Sequence, residues 1–439
     1  MRHDSPRPVP TPHPHQDLSE LAQRYRTVRN QTRALAAPLS PEDCQAQSMA
    51  DASPTKWHLA HVTWFFETFV LEPFEPGFKP FNPAFRVLYN SYYNGVGEQF
   101  ARPHRGLVTR PDLAEVWRWR EQVDERIARL IGRTDSADVL RLVEMGLHHE
   151  QQHQELLLTD IKHLFSINPL SPAYQRVWPL VSVAPVKVRW IECGAGLKAI
   201  GHAGEGFAFD NESPCHRQWL EPHALMNRLV THGEWLDFVQ DGGYTDPRWW
   251  LAAGWDWVRS QGVRAPLYWT LHPDAGALPT VFTLHGNMPL DPHTPVVHVS
   301  YFEADAYARW AAATLADHAG ARLPTEAEWE AAAAPLPVLG NLQESGALHP
   351  MPAQGASDAL LQMFGDVWAW TSSSYSAYPG YQVAAGAVGE YNGKFMVNQT
   401  VLRGGSCATP ASHIRASYRN FFPTDARWQF SGLRLARSL

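Results

Sequence analysis

The residues best suited to chemistry are two histidines, His149 and His153, in the segment "HHEQQHQE". They stand four residues apart in a stretch whose apolar spacing predicts a helix, so they share one face with Cβ atoms about 6 Å apart. A single histidine on such a face is usually a hydrogen-bonded polar residue. A pair at this spacing inside an apolar helix instead indicates that both imidazoles bind one metal ion.

A third ligand is needed, because two side chains do not hold a catalytic metal. His61 in "WHLAHVTWFFE" lies on a second predicted apolar helix and is the expected third ligand. His58, three residues earlier and on nearly the same face, is the local rival for this role. His148 is a weaker candidate, since one residue along a helix turns a side chain about 100° away from His149.

An all-histidine site suits Fe(II), Zn, Ni or Cu, and ligand type does not decide among them. Three neutral imidazoles leave positions open and the full charge on the ion, which favours an anionic thiolate and O2. The segment also matches the zinc-hydrolase pattern H-E-x-x-H, with Glu150 as general base. A zinc hydrolase is therefore the main alternative, followed by a metal-dependent thiol transferase or a non-catalytic binding module.

Four predicted helices can position these histidines, which is enough for a bundle. Apolar repeats and end signals place the helices over 17 to about 37, 53–71, about 111–132 and about 136–165. Ser53 is the predicted N-cap of the second helix, with Pro54 at its first position. Residues 1–16, rich in Pro and His, predict a disordered tail, and residues 17–166 form the predicted bundle domain. Residues 74–110 predict a long aromatic loop.

A second domain is expected, because 439 residues exceed the roughly 250 to 300 that one core usually holds. Residues 167–186 have the Pro spacing of an ordered linker. From 187 to 439, period-two apolar segments and frequent Gly and Pro turns predict short strands. Only two helices are predicted there, near 231–240 and 302–318, which indicates a mixed α+β domain.

Composition excludes several classes of partner. The net charge of −7 and the absence of a basic cluster argue against nucleic acid. No apolar run reaches about 18 residues, which argues against a membrane span, and the N-terminal segment lacks the apolar core of a secretory signal. A cytoplasmic location is therefore expected. The four cysteines show no CxxC spacing, so metal ligands must be His or carboxylate. The oligomeric state stays open.

The two histidine motifs together resemble the DinB-like bundle of the sulfoxide synthases of ergothioneine biosynthesis. The C-terminal segments "RLPTEAEWEAAA", "GDVWAWTSSSY", "LRGGSCATP" and "FSGLRLAR" resemble the formylglycine-generating-enzyme fold, a variant of the C-type lectin fold. The resemblance covers nearly everything from about residue 17 onwards. It implies an α + (α+β) chain, with a four-helix bundle followed by a lectin-like domain for substrate binding.

Two departures refine this resemblance. Formylglycine-generating enzymes carry a cysteine pair where this chain has Thr409 and Ile414, so their copper–cysteine chemistry is not expected here, and Cys407 is expected to be structural. The relatives that make ovothiol precursors, 5-histidylcysteine sulfoxide synthases, usually add a C-terminal methyltransferase. This sequence stops at Leu439, directly after the lectin-like segment, which favours the ergothioneine branch.

The resemblance also implies roles for individual residues. His61, His149 and His153 would bind Fe(2+), and the substrates would be hercynine, O2 and either cysteine or γ-glutamylcysteine. A tyrosine would supply a proton or hydrogen atom, with Tyr93 preferred and Tyr92 second. In another branch the tyrosine lies in a C-terminal loop, where this chain offers Tyr378 and Tyr381.

Substrate contacts follow from the same comparison. Gln152 matches the residue that bonds the substrate imidazole, and Asn420 and Phe421 match the positions that bind the betaine. Phe422 stands where the branch that uses γ-glutamylcysteine has an aspartate, which favours free cysteine as the thiol. Arg102 and Arg105 are candidates for binding the thiol substrate's carboxylate, because a guanidinium offers two parallel donors.

Overall fold

The computed structural model describes residues 14–175, 183–184, 186–272 and 279–439. Residues 1–13 of the predicted tail lie outside this range, as do 176–182 and 185 of the predicted linker. The first helix begins at Pro14, three residues before its predicted start at Asp17.

The N-terminal part of the chain is helical, and four long helices pack around a shared core as predicted. The helices are α1 (Pro14–Ala36), α2 (Pro41–Gln45), α3 (Thr55–Phe66), α4 (Glu72–Phe74), α5 (Phe85–Leu88), α6 (Leu113–Ile131) and α7 (Ala137–Ser166). Around the bundle, α1 packs on α7, α7 on α3, α3 on α6, and α6 on α1. A π-helical turn, Glu67–Leu71, continues α3.

The start of α3 differs from the prediction in a way that matters for the site. Pro54 is the N-cap residue, and Ser53 makes no capping bond. Instead, the Ser53 backbone N–H donates to Asp160 on α7 at 2.8 Å, and its hydroxyl accepts from Arg105 at 2.9 Å. Every residue of α3 is buried, as expected for a helix enclosed on all sides.

The C-terminal part is a mixed domain of short strands and four helices among the described residues. The helices are α8 (His232–Gln240), α9 (Ala252–Gln261), α10 (Tyr301–Thr314) and α11 (Glu326–Ala333). The strands are β1 (Trp190–Cys193), β2 (Gly196–Ile200), β3 (His216–Leu220), β4 (His223–Met226), β5 (Trp269–Thr270), β6 (Thr280–Thr283), β7 (Gly286–Pro289), β8 (Ala321–Arg322), β9 (Gly340–Asn341), β10 (Phe364–Gly365), β11 (Trp368–Ser374), β12 (Gln399–Arg403), β13 (Asn420–Pro423), β14 (Ser431–Leu433) and β15 (Ala436–Ser438).

Two four-stranded sheets organise this domain. One has the order β1-β4-β15-β8, and the other has the order β13-β12-β11-β14, in which β11 runs parallel to β14 and antiparallel to β12. The edge strand β13 carries Asn420, Phe421 and Phe422. Smaller sheets pair β2 with β3, β9 with β10, and β5 with β6 and β7.

The prediction of only two helices in this domain was wrong, because α9 and α11 were missed. The sequence does carry signals for both. Thr325 and Glu328 form a capping box at the start of α11. Gly262, in the left-handed conformation with φ +61°, ends α9. Within the described residues, no helix has the length and apolar content needed to cross a membrane.

Candidate active site

Three histidines from two bundle helices converge on one point. His61 comes from α3, and His149 and His153 come from α7. Their candidate ligand atoms all lie within 4.8 Å of one another. The ring centroids are 4.6 Å apart for His149 and His153, and 4.9 and 4.8 Å from His61 to each of them. This spacing allows all three imidazoles to bind a single ion.

The His61 ring is held by its neighbours on the same helix face. It stacks between Trp57 at 4.5 Å and Trp64 at 5.4 Å, four residues before and three after it. Its Nδ1–H donates to the carbonyl oxygen of Tyr89 at 2.7 Å. Its Nε2 atom is buried and, among the described residues, has no hydrogen-bond partner. This nitrogen therefore faces the cluster with its lone pair free.

Each of the two histidines of α7 also has a ring nitrogen that is available to bind a metal. Both ring nitrogens of His149 are buried without a hydrogen-bond partner in the part of the chain that the structure describes. The Nδ1 of His153 contacts His58, so its Nε2 can serve as ligand. Burial lowers the pKa of all three rings, to about 3 for His149. The rings are therefore neutral at pH 7, which is the form that binds metal.

The buried ring nitrogens that lack a hydrogen-bond partner among the described residues indicate whether a metal ion fits this site. A buried polar atom without a partner is destabilising, so three of them in one place require an explanation. A metal ion bound by all three imidazoles would satisfy the His61 nitrogen and one of the two His149 nitrogens. His58, the rival ligand, instead contacts the Nδ1 of His153, which is not the nitrogen expected to bind the metal. The residues present therefore fit a three-histidine metal site with nitrogen donors only.

A cavity of about 460 Å³ lies against this cluster, between the bundle and the C-terminal domain. Both domains contribute to its wall. Most of the predicted site residues line it, namely Tyr92, Arg102, Arg105, His149, Gln152, His153, Asn420, Phe421 and Phe422. The structure thus brings together residues that lie up to 330 positions apart in sequence.

Gln152 lies in the cavity wall next to His153 and bridges two tyrosines of the C-terminal domain. Its Nε2 donates to the Tyr418 hydroxyl at 2.6 Å, and its Oε1 accepts from the Tyr391 hydroxyl. The Tyr391 ring also packs edge-on against His149, with centroids 5.6 Å apart. Sequence reasoning missed Tyr391 and Tyr418, because each comes from an irregular segment of the other domain.

The two tyrosines of the long loop occupy different positions. Tyr92 lines the cavity, whereas Tyr93 is fully buried behind it, with the two rings stacked at 4.7 Å. Burial raises the pKa of both phenols, so both hold their proton at neutral pH. Lys394 of the C-terminal domain donates to the Tyr92 carbonyl oxygen and ties this loop to the cap.

Tyr378 and Tyr381 are not among the residues that line the cavity, so the structure does not bring these two predicted site residues to the histidine cluster. The buried Tyr378 ring stacks under the Arg419 guanidinium at 3.9 Å, and its hydroxyl accepts from Arg403 at 2.9 Å. The Tyr381 hydroxyl donates to Asp210 at 3.0 Å. Both tyrosines therefore brace the C-terminal domain.

The predicted arginines differ in how they are held. The Arg105 guanidinium lies 3.4 Å over the Trp57 ring and donates to the Ser53 hydroxyl, so it is fixed on the bundle side of the cavity. Arg102 is exposed and donates to the backbone carbonyl of Asp51. Arg105 is therefore the better placed of the two to bind a carboxylate in the cavity.

Aromatic rings form the wall opposite the bundle. Phe421 stacks on Tyr375 at 4.0 Å and lies 5.9 Å from Phe395, and Phe422 lies 6.3 Å from Trp428. Ring faces of this kind attract a desolvated cation such as a quaternary ammonium group.

Glu150, the glutamate of the H-E-x-x-H pattern, points away from the histidine cluster. Its carboxylate accepts from Arg29 at 2.8 Å, from Thr32 at 2.6 Å and from Arg120. Burial alone would raise the pKa of Glu150, but Arg120 and Arg29 outweigh it and lower the pKa to about 2. Glu150 is thus a structural anion inside the bundle, which contradicts its role as the general base of a zinc hydrolase.

Comparison with known proteins identifies both domains. The DinB superfamily profile matches residues 24–157, and that of the sulfatase-modifying factor enzyme 1-like domain matches 190–351 and 345–439. The hercynine oxygenase of Mycolicibacterium thermoresistibile is 33% identical over 95% of this chain and 94% of its own length. The chain belongs to the hercynine oxygenase family. The hercynine oxygenase of Mycobacterium tuberculosis is 32% identical over 88% of this chain and 91% of its own length.

Members of the hercynine oxygenase family are oxygen-dependent oxidoreductases, and this chain is one of them. Ergothioneine biosynthesis protein 1 of Schizosaccharomyces pombe is a more distant relative, 27% identical over 53% of this chain and 28% of its own length. The predicted combination of a DinB-like bundle with a formylglycine-generating-enzyme-like domain is confirmed.

Thr409 stands where formylglycine-generating enzymes carry a cysteine, and in this protein it makes a contact between the two domains. The Thr409 hydroxyl donates to Glu155 of α7 at 2.7 Å, and the Trp368 indole N–H donates to the same carboxylate at 2.9 Å. These contacts join the two domains beside the cavity. Cys407 and Ile414 are both buried in the C-terminal core.

Proposed function

We propose that this enzyme joins the sulfur of cysteine to the imidazole carbon of hercynine and forms the sulfoxide, in ergothioneine biosynthesis. The observation that supports this most strongly is the set of buried nitrogens on His61 and His149 that have no hydrogen-bond partner within the described ranges, and that meet His153 beside an aromatic cavity. The relatives named hercynine oxygenase support hercynine as the substrate.

The reaction balances without a further reductant. Forming the C–S bond removes one hydrogen from the imidazole carbon and one from the thiol, and oxidising the sulfide to the sulfoxide releases two more electrons. O2 accepts all four electrons, with one oxygen atom entering the sulfoxide and the other leaving as water. We propose iron(II) as the resident metal, which would supply Lewis-acid binding of the thiol sulfur and one-electron chemistry towards O2.

The chain's own residues would bind and orient the two organic substrates. Gln152 lies beside His153 and can hydrogen-bond the substrate imidazole. Phe421 and its neighbouring rings would hold the trimethylammonium group of hercynine by their faces. Asn420, on the same strand, would bind the betaine carboxylate through its amide N–H. The two substrates would then lie side by side between the bundle and β13.

The thiol substrate would bind on the bundle side. The Arg105 guanidinium, held over Trp57, would bind the carboxylate of cysteine, with the exposed Arg102 close by. Phe422 supplies no charge for the additional groups of a γ-glutamyl dipeptide, so free cysteine is the proposed thiol.

A phenol would supply the proton or hydrogen atom that the oxygen chemistry needs. We propose the stacked pair Tyr92 and Tyr93, whose raised pKa values keep both hydroxyls protonated at neutral pH. Tyr391 is a second candidate, since its ring packs on His149, but its hydroxyl donates to Gln152 and serves to orient that amide.

The test is product formation by the whole chain loaded anaerobically with iron(II). The protein is mixed with hercynine, O2 and either cysteine or γ-glutamylcysteine, and products are identified by mass spectrometry. We expect the hercynyl cysteine sulfoxide, with cysteine preferred and with no product from zinc-loaded protein. Replacing hercynine by histidine separates this activity from the ovothiol type. Absence of a sulfoxide with both thiols would contradict the proposal.

A further inference from the structure

We propose that Asp160 and His58 form with His153 a directed hydrogen-bond chain that fixes which nitrogen of His153 binds the metal. The inference rests on the proposed metal site but concerns two residues outside the three-histidine set, both at the edge of the cavity. They are positioning residues, which act through the ligand that they hold.

The chain is continuous and shielded. The Nδ1 of His58 lies 2.8 Å from the Nδ1 of His153, and the Nε2 of His58 lies 3.0 Å from Oδ2 of Asp160. His58 is 4% exposed and Asp160 is 7% exposed, so water competes little for these contacts. The Ser53 backbone N–H donates to the same Oδ2 at 2.8 Å.

The proton positions follow from what each group is able to do. A backbone N–H only donates and a carboxylate only accepts, so Oδ2 of Asp160 accepts from both Ser53 and His58. A neutral His58 then carries its one proton on Nε2 and presents a lone pair at Nδ1. His153 must then carry its proton on Nδ1 and donate it to His58. The Nε2 of His153 is left with a free lone pair.

His61 and His153 are thus supported in different ways. His61 donates to a backbone carbonyl, which only accepts and therefore fixes its proton without help. An imidazole, in contrast, can accept or donate, so His58 fixes His153 only because Asp160 fixes His58. Partners of this kind orient a ligating imidazole and raise its basicity.

Helix spacing explains how the chain is built. His58 and His61 lie three residues apart on α3, so they share a face and reach the two sides of His153. Asp160 lies seven residues after His153 on α7, which is two turns along the same face. The sequence made His58 a rival ligand, whereas this geometry makes it the support of a ligand.

The test compares metal affinity in three variants of the whole protein. Affinity is measured by titrating the metal-free protein with Co(II), followed by visible absorbance, and by competing Fe(II) against a chelator. His58→Phe removes the acceptor for His153 and should weaken binding by about 10- to 100-fold. Asp160→Leu removes the acceptor that fixes the proton of His58, so it should weaken binding by about 10-fold.

His163→Phe is the matched control. His163 lies on the same helix and bonds the Ser48 hydroxyl at 2.7 Å, outside the chain described above. Its replacement should leave both affinities unchanged. A Co(II) spectrum altered in His58→Phe and Asp160→Leu, but not in the control, would show that the ligand field has changed rather than the overall stability.

Wild-type affinity in His58→Phe would overturn the inference. If that variant does not fold, Asp160→Leu decides the question, because it keeps a similar side-chain volume without an acceptor, and its unchanged affinity would overturn the inference equally. The result is separable from the proposed function. Loss of metal affinity in these variants stands even if the iron-loaded wild type forms no sulfoxide, whereas product formation tests the function alone.

Discussion

The Arg29 guanidinium lies 2.8 Å from the Glu150 carboxylate, and both side chains are shielded from solvent. Glu150 follows His149 directly, yet helix geometry turns it into the bundle interior, where Arg120 binds it as well. A carboxylate held in this way cannot reach a water molecule at the histidine cluster. In the H-E-x-x-H pattern of this chain, the two histidines therefore belong to the candidate metal site, and the glutamate belongs to an ion pair in the bundle core.

Glu150→Gln should consequently affect stability rather than chemistry. Removing one partner of a buried ion pair leaves an uncompensated charge and costs about 3–5 kcal/mol of unfolding free energy. Urea denaturation measures this loss. Glu121→Gln, which breaks the exposed pair with Arg33, is the control and should cost less than about 1 kcal/mol. The folded Glu150 variant should still bind metal, and loss of metal with normal stability would contradict this role.

His149→Ala should abolish stoichiometric metal binding, because only two of the three ligands remain. Metal content after anaerobic loading and desalting measures the effect. His148→Ala is a close control, since the His148 ring stacks on Phe207 and its Nδ1 contacts His413 instead of the cluster. Equal metal loss in both variants would mean that the helix as a whole, and not one ligand, had been disturbed.

Tyr92→Phe and Tyr93→Phe should each retain metal but lower sulfoxide formation by about 100-fold, the usual effect of losing a proton donor. Part of the reaction should divert to oxidation of the thiol. Tyr391→Phe should mainly raise KM for hercynine, because the Gln152 amide loses one of its two anchors. Tyr378→Phe, in the C-terminal core, should leave the rate unchanged. Full activity in both loop variants would transfer the role to Tyr391.

Because Lys162 is buried, the free energy of unfolding should depend on pH. Its amine is 1% exposed and lies 2.6 Å from Nε2 of His298, and burial lowers its pKa from 10.5 to about 7. Between these values the unfolded chain binds a proton that the folded chain does not. Stability contributed by this group therefore rises with pH from about 7 to about 10, by at most about 1.4 kcal/mol per pH unit.

Urea denaturation across this pH range checks the sign. Lys162→Met should remove that part of the slope, whereas Lys198→Met at an exposed position should keep it. A slope in Lys162→Met equal to that of the wild type would show that the amine is charged in the folded protein.

The sequence was informative where periodicity and residue type coincide. The four bundle helices follow from apolar repeats, and the convergence of His149 and His153 follows from helix spacing. Spacing alone could not decide between His61, the expected ligand, and its rival His58, because residues three apart share a face and the packing of α3 on α7 decides which ring faces the cluster. Tyr378 was misplaced for a related reason, since a loop gives no periodic signal for direction.

Contacts between domains were the least predictable feature. Tyr391 reaches Gln152 across 239 positions, from a segment without regular repeats. Glu155 meets Trp368 and Thr409 in the same way. No local pattern encodes such pairs, because they depend on how the C-terminal domain sits on the bundle. The helices α9 and α11, in contrast, have cap signals in the sequence, namely Gly262 at the end of α9 and the capping box of Thr325 and Glu328 at the start of α11.

His61, His149 and His153 are proposed to hold one iron ion beside the cavity. Anomalous X-ray diffraction at the iron absorption edge, from crystals loaded anaerobically with iron(II), tests this proposal most directly. We predict one strong peak per chain, within bonding distance of Nε2 of His61 and of one ring nitrogen each of His149 and His153. A peak bound by other residues, or no peak at full iron loading, would contradict the account.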